Sequence, residues 1–293
     1  MSARLLILTP APGDARFGAI VHRWVERLSA ALALAGVAAE ARPWTEAEDV
    51  SGFDGVAPLL AWSYHLDLAG WTRRLDALAA AGARTVNPLA SLRWNTHKTY
   101  LAELEAAGAP IVPTLFVPAL TAAAIAEAHD RFGDQLIAKP QVSAGAFATV
   151  RIVAGRPFEG APTGAAMLQP FLPAVGGEGE LSLLYFGGRF SHAIAKVAQA
   201  GDFRVQYQYG GVNTPIDPPP EAMAAAEQVL AAAPPLTYAR VDLVRDPTGR
   251  MRLMELEAIE PDLFLEHAPD AGAAFARAMR AALAQDRALD SRV

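Results

Sequence analysis

Apolar and polar positions over the first ninety residues alternate in a way that spells strand, helix, strand. Residues 5–9 (LLILT) form a continuous apolar run closed by a Pro/Gly turn, the mark of a buried strand. From Phe17 to Ala35 the apolar positions Ile20, Trp24, Leu28 and Leu32 fall at helical spacing, and Gly36 follows as a C-terminal stop. Short strands are predicted near 37–42 and at 55–62 (GVAPLLAW), a helix over about 67–81, and a further strand ending at Asn87-Pro88. This β-α-β-β-α-β order predicts an open, largely parallel sheet covered by helices, with ligands gathering at the carboxyl ends of its strands. Trp62, Tyr64 and His65 stand at or just past one such end, where aromatic packing at a domain junction is the first expectation and substrate contact the second.

The same reading continues with a long helix over about 91–107 that carries Lys98 and stops at Gly108. Strands are expected at 111–117 and 135–140, with a helix at 121–132 between them. From Thr149 the pattern turns β-rich, and LSLLYF-GG-RFSHAIAKV reads as a hairpin, because Gly187-Gly188 supplies the positive φ angles of a two-residue turn. A helix at about 219–233, a second hairpin and an Ala-rich helix near 271–287 complete the chain, with no internal repeat. The fold class predicted is α/β, passing to α+β in the C-terminal part.

Composition narrows what such a fold does. A chain of 293 residues with 52% hydrophobic and 19% charged residues has material for about two packed domains. A formal charge of −6 argues against nucleic-acid binding, and no run of 18 uncharged apolar residues suggests a membrane span. Nor does the start of the chain resemble a signal peptide, so a cytoplasmic protein is expected. The absence of Cys excludes disulfides, cysteine nucleophiles and thiolate metal sites. Of 25 basic residues only three are Lys, namely Lys98, Lys139 and Lys196. In a chain this rich in Ala and Arg, a retained Lys marks a place where a compact point charge serves and a planar fork does not.

The second hairpin, YARVDLVR-DPTG-RMRLMELEAIEP, concentrates the chemistry. Asp246-Pro247-Thr248-Gly249 fits a type I turn, and a four-residue loop places Asp242 on one sheet face with Leu253, Glu255 and Glu257. Met254, Leu256 and Ala258 then fall on the other side. Carboxylates so close, on strands this apolar, call for a compensating cation, and oxygen ligands suit Mg²⁺ or Mn²⁺. Lys139 ends a strand in QLIAKPQVSAGA and is followed by small residues, Ser143 and Gly145 among them, whose backbone N–H groups can approach phosphate oxygens. Phosphates, cations and acidic metal ligands together form a phosphoryl-transfer kit, although no GxxxxGK[ST] loop occurs.

In order, NPLASLRWNTHKTYL, LIAKPQVSAG, MLQPFLP and YARVDLV…LMELEAIEP resemble the ATP-grasp ligases over about residues 86–265. The glutathione synthetase and ribosomal-modification ligase branch is the nearest large group, and within it the small enzymes related to the cyclo-ligase of cycloserine biosynthesis. The resemblance implies an N-terminal α/β substrate domain over 1–90 and a two-lobed ATP-grasp domain over 91–293. In the latter, a flap lobe spans about 110–170 and a C-terminal lobe about 171–293.

It also implies roles. Lys98 and Lys139 would hold ATP phosphates, and Gln169, Pro170, Phe171 and Leu172 would line the adenine edge. Glu180 would take the ribose hydroxyls, Lys196 would contact the γ-phosphate or an acyl phosphate, and Asp242, Glu255 and Glu257 would bind Mg²⁺. Two positions depart from the branch: Glu257 stands where Asn is common, and Ser182 where an arginine is common. Arg204, which Asp202 would orient, is a candidate to replace that charge or else a surface strand residue. His192 is expected to be structural, and Arg16 is a candidate for a substrate carboxylate or a solvated loop residue. The implied activity is ATP-dependent carboxylate–amine ligation of a small amino-acid-like substrate through an acyl phosphate. Ring closure of the O-ureidoserine type, a non-catalytic ATP-binding module and a simple kinase are the alternatives. A homodimer or homotetramer is common among such enzymes.

Overall fold

The structure, a computed structural model, describes residues 2–14, 16–18, 20–199, 204–205 and 210–284. The chain begins with β1 (Ala3–Thr9), α1 (Val21–Ala33), β2 (Val37–Pro43), β3 (Gly55–Ala57) and α2 (Leu68–Ala80). These form a parallel sheet of order β2-β1-β3. The LLILT run is buried on both faces: Leu5 and Ile7 pack with Leu28 and Leu32 of α1, Leu6 and Leu8 with Trp71 and Leu75 of α2. Trp62 packs against Phe17 and Trp24, with ring centroids 5.0 and 5.5 Å away, which meets the aromatic-junction expectation for that residue. The strand predicted to end at Asn87 shrinks to one parallel bridge, Val56 to Thr85. Asn87 is spent elsewhere: its amide donates to the carbonyls of Tyr238 (3.0 Å) and Ala258 (2.8 Å), tying the N-terminal sheet to the C-terminal one.

The long helix expected over 91–107 is two helices, α3 (Leu89–Thr96) and α4 (Tyr100–Ala106). His97 is extended, at φ −109° and ψ 123°, and Lys98 lies in the break with its backbone N–H donating to Gln141 O at 2.8 Å. Asn95 holds the end of α3 in place, donating to Leu256 O (2.8 Å) and accepting from Ala258 N (2.9 Å). Asn95→Ala orphans the buried Ala258 N–H, whereas Leu256 O keeps the Tyr100 hydroxyl at 3.0 Å. At roughly 1–3 kcal/mol for one unpaired group, a loss of about that size is expected, visible as a lower urea midpoint at unchanged m.

Next come β4 (Leu115–Val117), α5 (Ala122–Phe132), β5 (Gln135–Pro140), β6 (Val150–Val153) and β7 (Ala166–Pro170). They build an antiparallel sheet of order β4-β7-β5-β6 under α5, whose first turn is capped by the Thr121 hydroxyl. The remaining elements are β8 (Glu180–Phe186), β9 (Arg189–Val197), β10 (Val212–Ile216), α6 (Pro220–Ala232), β11 (Tyr238–Arg245), β12 (Met251–Glu257) and α7 (Ala273–Ala284). Their antiparallel sheet has the order β10-β9-β8-β11-β12. Gly187 and Gly188, at φ 57° and 72°, make the predicted tight turn between β8 and β9. One face of this sheet packs Leu183, Val241, Leu253 and Leu256 against α4 and α6. On the other face, Leu184, Ile194 and Tyr238 meet Phe275 and Met279 of α7, and the end nearer Lys98 is polar. The predicted strand over 111–117 serves both lobes: Ile111 bridges to Leu253 of β12, whereas Leu115–Val117 pairs with β7. No helix among the described residues is long and apolar enough to cross a membrane.

Candidate active site

The register of β11 and β12 decides which side chains share a face, and it departs from the four-residue turn. Arg245 pairs with Met251, so the loop holds five residues, closed by Asp246 N to Arg250 O at 2.8 Å and Gly249 N to Asp246 O at 2.9 Å. A regular ladder from that loop would set Asp242 against Met254 and turn Glu255 into the apolar core. A bulge prevents this: Leu243 still pairs with Leu253, but Asp242 pairs with Glu255, leaving Met254 unpaired. Two expectations are corrected. Leu253 faces the α4/α6 core and not the acidic side, and Met254 packs with Val112, Leu172, Val175 and Val244 and not beside Leu256. Asp242, Glu255 and Glu257 share a face because one extra residue offsets the longer turn.

Across that face the carboxylates meet protein cations. Asp242, 2% exposed, accepts from the Ser182 hydroxyl (2.5 Å) and from Arg240 Nε (3.0 Å) and Nη2 (2.9 Å), with Lys196 Nζ at 3.4 Å. Lys98 is ion-paired with Glu255 and Lys196 with Glu180, its cross-strand partner, and Arg240 donates to Glu257. Burial pushes the Asp242 carboxyl up, but Arg240 and Lys196 outweigh it and hold the group below the usual range. Burial likewise opposes the charges on Lys98 and Lys196, yet the surrounding carboxylates keep both pKa values above the ordinary one. Burial raises Glu180 despite Lys196, and raises Glu257 from 4.5 to about 8, with Arg240 only partly offsetting it and Glu255 adding to the rise.

Lys139 lies on β5 facing the same place, buried, with no carboxylate in ion-pair reach among the described residues. Burial lowers its pKa, and the charges nearest to it are Glu255 and Lys98. The loop that follows contains buried Ser143 and then Gly145, Ala146 and Ala148 in left-handed backbone, at φ 59°, 59° and 50°. Gln169 is buried on β7 and donates to the Thr114 hydroxyl at 2.8 Å. Pro170 ends that strand, the Phe171 amide donates to Gln135 O, and Leu172 is buried against Val175. Arg204 adjoins Val205, which packs on Val112 and Val244, and Asp202 lies outside the described residues. His192 acts structurally, its Nε2 lying 3.1 Å from the carbonyls of Leu263 and Phe264.

Two site residues escaped the sequence reading. Arg240 supplies the guanidinium that clasps Asp242, two residues away on the same strand and therefore on the same face; the R-x-D spacing in YARVDLV was the available signal. Glu260, just past β12, is pushed well above the ordinary range by burial and by Glu257, and its position in a loop offered no periodicity to read. Five carboxylates (Glu180, Asp242, Glu255, Glu257, Glu260) thus stand with four cations (Lys98, Lys139, Lys196, Arg240). Among the described residues no three acidic or imidazole side chains converge tightly enough to cage a metal alone. The donor set nevertheless fits a cation shared with phosphate, because Mg²⁺ commonly takes one or two carboxylates and completes its shell from phosphate and water.

A raised carboxyl has a consequence for stability. Glu257 keeps its proton in the folded chain between its unfolded value of 4.5 and about 8. The folded state therefore binds more protons across that window. The stabilisation it brings is complete below about pH 4.5, declines as pH rises, and is gone above about 8. Thermal melts without nucleotide or divalent cation should show the melting temperature falling from about pH 6.5 to 8, above the range in which the buried imidazole of His65 works the other way, with a flatter profile in Glu257→Gln.

Comparison with known proteins places this geometry. Residues 9–87 match the family model described as D-cycloserine synthetase DcsG, N-terminal domain. The cycloserine biosynthesis protein DcsG of Streptomyces lavendulae is 29% identical over 278 residues, covering 83% of this chain and 88% of that protein. The crystal structure of D-cycloserine synthetase DcsG superposes with a TM-score of 0.81 at 26% identity, over 96% of this chain and 100% of the other. The ATP-grasp ligase PsnB, solved with a minimal precursor, Mg and ADP, has the same fold at a TM-score of 0.64 and 15% identity, over 97% and 99% of the two chains. With three sheets in this arrangement and a likeness to D-cycloserine synthetase that runs nearly end to end, the chain is an ATP-dependent ligase of the ATP-grasp superfamily.

Proposed function

We propose that the protein joins a carboxylate to a nitrogen nucleophile through an acyl phosphate, using ATP and Mg²⁺. The observation that carries this reading is the ionic face itself, where the chain's three lysines gather around Asp242, Glu255 and Glu257. Buried cations that crowd an acidic strand pair are suited to a polyanion whose charge they share with a metal. In this reading residues 1–90 carry the substrate and residues 91–293 the nucleotide.

Lys98 and Lys139 reach the phosphates from the α3–α4 break and from β5. The loop at Ser143 and Gly145 lays its backbone along them, and Gln169 to Leu172 line the base. Glu180 takes the ribose, with Lys196 at the transferring phosphoryl group and Arg204 a further cation beside it. Asp242, Glu255 and Glu257 would hold Mg²⁺, which when bound neutralises charge on the phosphate oxygens. Arg240 keeps Asp242 ionised and oriented. The substrate carboxylate attacks the γ-phosphorus, ADP leaves, and the nitrogen displaces phosphate from the acyl carbon. The sheet of β4 to β7 excludes water that would otherwise hydrolyse the intermediate.

The likeness to D-cycloserine synthetase favours a ring-closing form, in which acyl phosphate and nucleophile belong to one molecule. An ADP-release assay with O-ureidoserine alone, and with pairs of small amino acids, tests both forms. ADP that appears only with a carboxylate substrate, and a product mass matching one or two organic substrates, supports the reading and separates its forms. A persistent phosphorylated product would make the protein a kinase, and absence of turnover with every carboxylate a binding module.

A further inference from the structure

Two loops of the N-terminal domain reach the ionic face from the carboxyl ends of parallel strands, one after β1 and one after β3. On the first, Arg16 donates to both oxygens of Asp14, through Nε at 2.9 Å and Nη2 at 2.6 Å, and Nη1 takes no part in that fork. On the second, Ser63 adopts left-handed backbone (φ 74°) and sets its hydroxyl against Asp14, and His65 follows two residues later. Both ring nitrogens of His65 are buried and meet no hydrogen-bond partner among the described residues. A neutral imidazole carries one donor and one acceptor, and a buried ring with neither satisfied calls for a partner from outside the chain.

Its surroundings say what that is. Burial holds the ring down at about 4, the cations Arg16 and Lys98 act in the same direction, and the Asp14 carboxylate, already forked by Arg16, opposes them more weakly. His65 is therefore a neutral donor between two positive groups, a receptor for an anion. Phe147 of the small-residue loop covers the ring with centroids 5.2 Å apart, so the contact spans the N-terminal domain and the flap.

We propose that His65 and Arg16 form the subsite for a carboxylate of the organic substrate, the imidazole N–H donating to one oxygen and Arg16 Nη1 to the other, with Phe147 closing over the pair. One imidazole N–H and one guanidinium N–H match a planar two-oxygen group, whereas the nucleotide phosphates have Lys139 and the backbone of its loop. The inference rests on the ligase reading for the existence of a carboxylate substrate.

The test follows the His65 ring ¹⁵N signals, assigned by their loss in His65→Gln, through pH titrations of the full chain with Mg²⁺ and AMP-PNP. Acetate and D-alanine serve as carboxylate probes, and D-alaninol as the carboxyl-free control. The carboxylates are expected to raise the ring's titration midpoint by one unit or more and D-alaninol to leave it in place. Arg16→Met should require at least tenfold more probe. A midpoint that neither carboxylate moves overturns the subsite. Failure of AMP-PNP to bind would count against the ligase reading instead, and the same titration without nucleotide would still decide the subsite. In turnover, His65→Gln should raise KM for the carboxylate substrate tenfold or more at unchanged KM for ATP. An equal rise in KM for ATP would move His65 to the phosphates and overturn the inference.

Discussion

Glu255→Gln is expected to lower kcat by about 10²–10³-fold, the usual cost of removing one preorganised charge from a phosphoryl-transfer site, while the protein stays folded. Glu255 sits opposite Asp242, pairs with Lys98, and is the nearest carboxylate to Lys139. It therefore contacts one lysine assigned to phosphate and acts on the other through its charge. Burial pushes its carboxyl up, but Lys98 and Lys139 prevail and hold the group below its ordinary value, so it is ionised at neutral pH. Gln keeps the size and one acceptor for Lys98 but removes the negative charge. The Glu255 side chain is 27% exposed but that of Lys98 only 7%, so with Gln left as a neutral acceptor a loss of about 1–3 kcal/mol is expected, short of unfolding. Steady-state kinetics beside a thermal melt checks both halves: a kcat within threefold of the parent contradicts the role, and collapse of the melt would mean the residue is structural.

Arg240→Leu should have the largest effect on folding. Arg240 is buried and binds Asp242 and Glu257 at once, and Asp242 is almost fully enclosed. Removing one partner of a buried ion pair leaves charge without compensation, at about 3–5 kcal/mol. Lys196, 3.4 Å from Asp242 but already paired with Glu180, offsets only part of this. Urea unfolding of Arg240→Leu should show that loss, with Arg240→Lys recovering part of it, since an ammonium restores the charge without the bidentate fork. A loss under 1 kcal/mol would mean that Asp242 is held by Ser182 and Lys196 alone.

The N-terminal sheet was legible because β1 carries a continuous apolar run and α1 has clean periodicity. The three lysines were legible because a composition that disfavours Lys made each survivor stand out. The α3–α4 break was not: nothing in LASLRWNTHKTYL interrupts the helical pattern, and the break exists because Asn95 and the Lys98 amide find partners on β12 and beyond β5, far along the chain. The acidic face was reached through a turn one residue too short, and the bulge at Met254 cancelled the difference. A bulge of this kind depends on packing from both sides, so local sequence carries no mark of it. Arg240 stood in plain view, but a charged residue on an apolar strand declares a partner only when the facing strand is known.

The central claim is that Lys98, Lys139 and Lys196 and the carboxylates of β11 and β12 clasp one nucleotide. A crystal structure with AMP-PNP and Mg²⁺ tests it most directly. The account predicts the triphosphate between Lys139 and the β11–β12 face, with a metal ion bound to Glu255 or Glu257 and to phosphate oxygens. Nucleotide seated elsewhere, with Lys98 still paired to Glu255 and Arg240 to Glu257 as in the free protein, would contradict it.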